Sequence, residues 1–281
     1  MSFDLRAGSE DIRSPVHIFP GDEHFSTETY RRAVFSGYIS SIATIVGAAE
    51  GYGLVVDTDT FERWKRIGAT AGLLDAFLDE SLDLRQASSL YDHGLSLAFD
   101  GGYDLLHAPD WADIRLEPAV KLLRNSASPL SSETISTLVE SSRFIGAATL
   151  KKALCVDVRE YVSLLRQEAF HSSRLIHGSV SDDMRAQAGL DTFALWCTRA
   201  IELGALADST WDLWADNRRG RTSVKATLLN SAKIALHAYR PARALSRPRP
   251  NRRATLKALF ARSRFSLWPT TIAMRRYAAP A

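Results

Sequence analysis

Cysteine is scarce in this sequence, with only Cys155 and Cys197 in 281 residues. They form no Cys-x-x-C pair; one disulfide between them is the alternative, and two reduced core thiols are the favoured reading. There is no Gly-x-Gly-x-x-Gly, no Walker loop, no Gly-x-Ser-x-Gly and no His-Glu-x-x-His. Those absences set aside dinucleotide-binding, P-loop, serine-hydrolase and zinc-protease chemistry. A long apolar run is also missing. The most apolar stretch, Ile39 to Val56, is broken by Ser40, Ser41, Thr44 and Glu50, too polar for a membrane span. The start, Met-Ser-Phe-Asp-Leu-Arg, lacks the basic and apolar stretches of a secretory leader, so a cytoplasmic location is expected. Segments alternating with period two are few, and no Asn-Gly or Asp-Gly sits between β-branched runs, which removes the usual hairpin signals.

Acidic residues are missing from one end. From Arg240 onward there are eleven arginines and lysines and no aspartate or glutamate. The net charge of +3 is therefore that of an acidic body with a basic tail. No nucleic-acid reading module is apparent, and nucleic acid is not an expected partner. His171 and His177 are six apart, a poor helical spacing for shared ligation.

What is present is helical periodicity. Ser26 to Glu50 places Tyr30, Val34, Tyr38, Ile42, Ile45 and Ala49 on one face. Asp59, with Glu62 three residues on, is the expected cap of the next helix, in which Phe61, Trp64, Ile67, Ala71, Leu74, Leu78 and Leu82 recur at three or four residues. A helix from Gln86 to Phe99 stops at Gly101-Gly102. Ser128-Pro129 reads as an N-cap and first helical position, opening a helix to about Leu150. Further helices are expected over 155–177, 182–202, 204–217 and 222–239. The resulting fold class is all-α, with an extension at 1–24, a helical domain at 25–240 and a tail at 241–281. Within that tail Arg240 to Pro250 reads as a Pro/Arg-rich linker. Leu256, Leu259, Phe260, Phe265 and Trp268 then suggest a short basic amphipathic helix able to touch anionic membrane.

Two acidic pairs carry the chemistry. Asp75-Ala-Phe-Leu-Asp79 is followed by Glu80, and Asp212-Leu-Trp-Ala-Asp216 by Asn217-Arg218-Arg219-Gly220-Arg221. An i, i+4 pair on a helix projects both carboxylates from one face and costs repulsion that a shared divalent cation removes. Asp75 and Asp79 each follow a leucine of the apolar stripe, so they stand at its edge. Asp208, Asp212 and Asp216 continue one face amid Leu206, Trp211 and Trp214. Arg218, Arg219, Arg221 and Lys225 supply guanidinium forks and a point charge suited to phosphate oxygens. The plainer alternatives are a solvated acidic edge and arginines that pair with the aspartates at a helix C-terminus. Phe77, Phe170, Phe193, Trp196, Trp211 and Trp214 are either core or the lining of a pocket that steadies a cation.

The second segment, Asp212 to Arg221, resembles the second aspartate motif of squalene and phytoene synthases. Leu74-Asp-Ala-Phe-Leu-Asp-Glu-Ser81 and Ala188-Gly-Leu-Asp-Thr-Phe-Ala-Leu195 are similar to segments of the large-terpene synthases of the tetraprenyl-β-curcumene type. The likeness runs in order over about residues 60 to 225 and rests on short motifs. Against the squalene/phytoene pattern, Leu74 stands where the first motif has a second aspartate, and Ala205 and Asp208 replace its Gln and Asn. The resemblance implies the class I isoprenoid-synthase fold, a bundle of long antiparallel helices around a central cavity. It implies a Mg²⁺-dependent enzyme, with a cluster of three ions, that ionises a prenyl diphosphate. Asp75, Asp79, Glu80, Asp208, Asp212 and Asp216 would hold metal, and Arg218, Arg219, Arg221 and Lys225 the diphosphate. Head-to-head coupling of two prenyl diphosphates is the alternative reaction, and a non-catalytic helical protein docking on membrane or partner the alternative class. Homodimerisation stays open.

Overall fold

In a computed structural model, residues 42–64, 66–68, 71, 99, 130–247 and 249–261 are described, and among them every regular element is a helix. The all-α expectation holds for these residues. The helices are α1 (Ile42–Gly51), α2 (58–64 and 66–68), α3 (Ser132–Leu154), α4 (Val158–His177), α5 (Asp182–Arg185), α6 (Leu190–Arg218), α7 (Leu228–Ser246) and α8 (249–261). The readings over Ser26 to Ser41, at Leu74, Leu78 and Leu82, over Gln86 to Ala98, and at Gly101-Gly102, Ser128-Pro129, Phe265 and Trp268 lie outside the described residues.

Local chemistry sets the helix starts, and several differ from the sequence expectation. Asp57, not Asp59, caps α2: its carboxylate accepts from the Thr60 N–H at 2.8 Å and from the Thr60 hydroxyl at 2.9 Å. Ser131, not Ser128, caps α3, accepting from the Thr134 N–H at 3.2 Å. Asp157 caps α4 through the amides of Arg159 and Glu160. In each case the side-chain oxygen that reaches the free amides of the first turn wins.

The largest departure is α6. The periodicity predicts two helices, 182–202 and 204–217, but the chain makes the short α5, a turn, and then one unbroken 29-residue helix. Gly189 supplies the break with φ of 100°, left-handed backbone that favours glycine. Gly204 does not interrupt the helix, since glycine in a helix costs only about 1 kcal/mol and both flanks are packed. The α5 region is fastened to the α1–α2 loop. The Gln187 side chain donates to Val55 O and accepts from Val55 N at 2.9 and 2.7 Å, and the Ser181 N–H donates to Thr60 Oγ1 at 2.9 Å.

The segment read as a linker is helical. α7 runs through Pro241 to Ser246 and buries Ile234, Pro241 and Leu245. An interior proline costs about 3 kcal/mol, and burial of the Pro241 ring and the Leu245 side chain beyond it, at about 2 kcal/mol each, offsets that cost. Arg247 is extended (φ −145°, ψ 142°), as a residue preceding proline prefers. α8 then packs on α1, with Ala254 and Ala258 fully buried.

Two apolar clusters result. One joins α1, α2, α3, α8 and the first half of α6 around Trp64, Phe193, Leu138 and Met184. Trp64 stacks on Phe193 and donates its indole N–H to Ile176 O at 2.8 Å. The other joins the end of α3, α4, the second half of α6 and α7 around Tyr161, Val162, Leu206, Leu213 and Ile234. Between them lies buried Glu202, bonded at 2.8 Å to both Arg166 and Arg199. Cys155 and Cys197 are free and buried.

Candidate functional site

The seam of α6 against α4 reads Glu202, Leu206, Ser209, Leu213, Asp216, at alternating spacings of four and three. Glu202, Leu206, Ser209 and Leu213 are buried on it, and Asp216 continues it, half-buried. Asp208 and Asp212 are exposed. Each i+4 step turns the helix by about 40° beyond a full circle. Over Asp208, Asp212 and Asp216 that drift carries the last carboxylate into the seam and leaves the first outside it.

What surrounds Asp216 comes from three elements. Lys152, in the last turn of α3, forms a 2.6 Å ion pair with Glu168 of α4. Tyr161 of α4 is buried and hydrogen-bonded to Ser209 of α6. The third element is the reversal after α6. Gly220, with φ of 70°, lets Gly220 N–H reach Asn217 O at 3.2 Å and Arg221 N–H reach Asp216 O at 2.8 Å. This is a Schellman turn, which turns Arg221 back toward Asp216. Asn217 pins the following loop by donating to Thr222 O and Val224 O at 3.3 and 3.0 Å. Ser223 donates its N–H to Ala153 O at 3.0 Å, so the loop is fastened to the end of α3 beside Lys152.

The electrostatics follow from this placement. Burial pushes the Asp216 carboxyl above the ordinary carboxylate range, Asp212 pushes the same way, and Arg221 and Lys152 pull partly back. Burial would lower Lys152, but the Glu168 carboxylate overcomes it and holds the ammonium above its usual range. The cluster is an acid at the edge of a core, within electrostatic reach of one fixed ammonium and one guanidinium.

Of the sequence-predicted residues, Asp212, Asp216 and Arg221 belong to this end of α6. Arg218, Arg219 and Lys225 are exposed around it. Asp75, Asp79, Glu80 and Phe77 lie outside the described residues. Phe193 and Trp196 are core, whereas Phe170, Trp211 and Trp214 are exposed, Trp211 to 83%. Lys152, Tyr161, Glu168 and Ser209 do not stand out in the sequence. Tyr161 and Glu168, seven apart on the α4 stripe, are the legible signal, but their partners on α3 and α6 are not.

Among the described residues no three His, Cys, Asp or Glu side chains converge as a metal cage. The donor chemistry of the α6 pair nevertheless suits Mg²⁺. Both groups offer hard oxygens, and the repulsion that Asp212 adds to the buried Asp216 is what a shared cation relieves. No protein-family model, no curated protein and no solved structure matches this chain.

Proposed function

We propose that this protein is a Mg²⁺-dependent class I terpene synthase, ionising a prenyl diphosphate and converting the resulting carbocation to a terpene. The observation that carries the reading is Asp216, a half-buried carboxylate paired at i, i+4 with Asp212 and within electrostatic reach of Lys152 and Arg221. A solvated acidic edge has no reason to place one carboxylate on the buried stripe within reach of a fixed ammonium, whereas an anion site built with metal needs both signs of charge.

In this mechanism Asp212 and Asp216 would supply oxygens to Mg²⁺, together with Asp75, Asp79 and Glu80 of the first motif. Bound there, the metal supplies Lewis acidity to the diphosphate leaving group. Lys152 and Arg221 add fixed positive charge, and Arg218, Arg219 and Lys225 hold the departing diphosphate from the solvent side. Glu168 positions the Lys152 ammonium, and the Schellman turn positions Arg221. The long helices would enclose the prenyl chain in a central cavity and exclude water until a proton is lost.

Incubation with C10 to C35 prenyl diphosphates and Mg²⁺ should release diphosphate and yield extractable hydrocarbon. Asp212→Asn and Asp216→Asn should each lower release by about a hundredfold or more. Because the Asp216 pKa is raised on folding, its ionised form is a net cost in the folded protein at neutral pH. Asp216→Asn should therefore also raise the melting temperature at pH 7. Absence of release with every chain length from folded protein would refute the enzyme reading; full activity in either variant would refute the metal roles.

A further inference from the structure

The last acidic residue of the chain is Asp216, and the sixteen charged residues after it are all arginine or lysine. Part of that charge is organised on one helix face. On α8, Arg249, Arg252, Arg253, Leu256, Leu259 and Phe260 fall within about 120° of the helical wheel, and all six are exposed. The three apolar members are more than half exposed, at 58% for Leu256, 56% for Leu259 and 63% for Phe260. The helix has no freedom to roll this face inward. Its opposite face is in backbone contact with α1: a Cβ added at Gly47 would lie 2.8 Å from Lys257 O and 2.9 Å from Ala261 Cβ, and one at Gly51 would meet Ala254. Asn251 reinforces the orientation, accepting from the Tyr52 hydroxyl and donating to Ala244 O, and Thr255 accepts from the Trp196 indole at 3.0 Å.

We infer that the outward face of α8 is a docking surface for an anionic lipid bilayer, lying in the plane of the membrane. Among the described residues no helix is long and apolar enough to cross one. Leucines beside arginines fit the boundary between acyl chains and phosphate headgroups, where each kind of side chain meets its own medium. A nucleic acid would match the charge but leave Leu256 and Leu259 in water. A second copy of this chain meeting it face to face would bring like charge against like. The surface is independent of the α6 site, although a prenyl chain would itself partition into such a bilayer.

Flotation of the full chain with vesicles tests this. Binding to phosphatidylcholine vesicles containing about 30% phosphatidylglycerol should exceed binding to pure phosphatidylcholine by about tenfold or more, and should weaken as salt rises. Replacing Arg249, Arg252 and Arg253 together by Gln should cut it on the order of a hundredfold, since each basic residue near an anionic surface contributes about fivefold. Leu256→Ser with Leu259→Ser should cut it about tenfold at unchanged charge, with helicity checked by circular dichroism. Phe265→Ser with Trp268→Ser should leave most of it. Equal binding to neutral vesicles, binding that follows Phe265 and Trp268 instead of α8, or α8-dependent binding to duplex DNA or RNA without vesicle binding would each overturn the inference.

Discussion

His177 shows how placement overrides residue type. It occupies the last turn of α4, where the helix dipole favours an imidazolium by about 0.3–1 kcal/mol. Burial, with Arg174 and Arg185 nearby, outweighs that and pushes its pKa down to about 4. The folded state thus binds fewer protons than the unfolded state between about pH 6.5 and 4, so stability rises with pH there and is lost as pH falls. Between about pH 7 and pH 5 the wild type should lose about 1–2 kcal/mol more than His177→Gln, read by urea unfolding at both values; parallel losses would refute the assignment. The aspartates teach the same lesson. Their spacing marks Asp208, Asp212 and Asp216 as one face, yet helical drift separates exposed Asp208 from half-buried Asp216. Lys152 is illegible for a different reason, because nothing in Lys151-Lys152 says which ammonium meets Glu168.

At the scale of elements, the pattern predicts helices well and their ends poorly. The stripes of α4 and α6 are plain in sequence because the apolar residues return every three or four positions. Capping is misplaced at Asp59 and Ser128 because several candidate oxygens lie within one turn, and only geometry chooses among them. The linker reading of Arg240 to Pro250 fails because proline counts against a helix locally, while burial of Pro241 and Leu245 is a tertiary effect. Gly47 and Gly51 are likewise inconspicuous until α8 is seen packed on them. Gly51→Ala improves helix propensity by about 1 kcal/mol but drives a methyl into the Ala254 backbone, an overpacking cost of about 1–3 kcal/mol that increases with contact to backbone. The net should be a loss of up to about 2 kcal/mol, measurable by denaturant midpoint. A stabilised variant would show that α8 does not hold this seat.

At the scale of the molecule, the basic C-terminal segment is part of the core as well as a surface. Leu245, Ala254 and Ala258 belong to the cluster around Trp64 and Phe193, and Thr255 bonds both the Trp196 indole and Leu245 O. A chain ending at Arg240 should therefore lose about 5 kcal/mol or more, comparable to a whole domain's stability. Thermal melting followed by circular dichroism should show a large fall in midpoint or no cooperative transition. An unchanged midpoint would restore the view of a detachable tail. Glu202, at 2.8 Å from Arg166 on α4 and from Arg199 on its own helix, stands where the two apolar clusters meet.

The sequence by itself determined the all-α class of the described residues, the apolar stripes and the acidic pair near the end of α6. These are local matters: period, propensity and turn chemistry act within a few residues along the chain. Only the tertiary structure decided which aspartate is half-buried, that the Lys152–Glu168 pair forms within electrostatic reach of it, and that α8 closes on α1. Those depend on contacts between segments far apart in the chain, where packing and the cost of burying charge choose among partners that local pattern leaves equivalent.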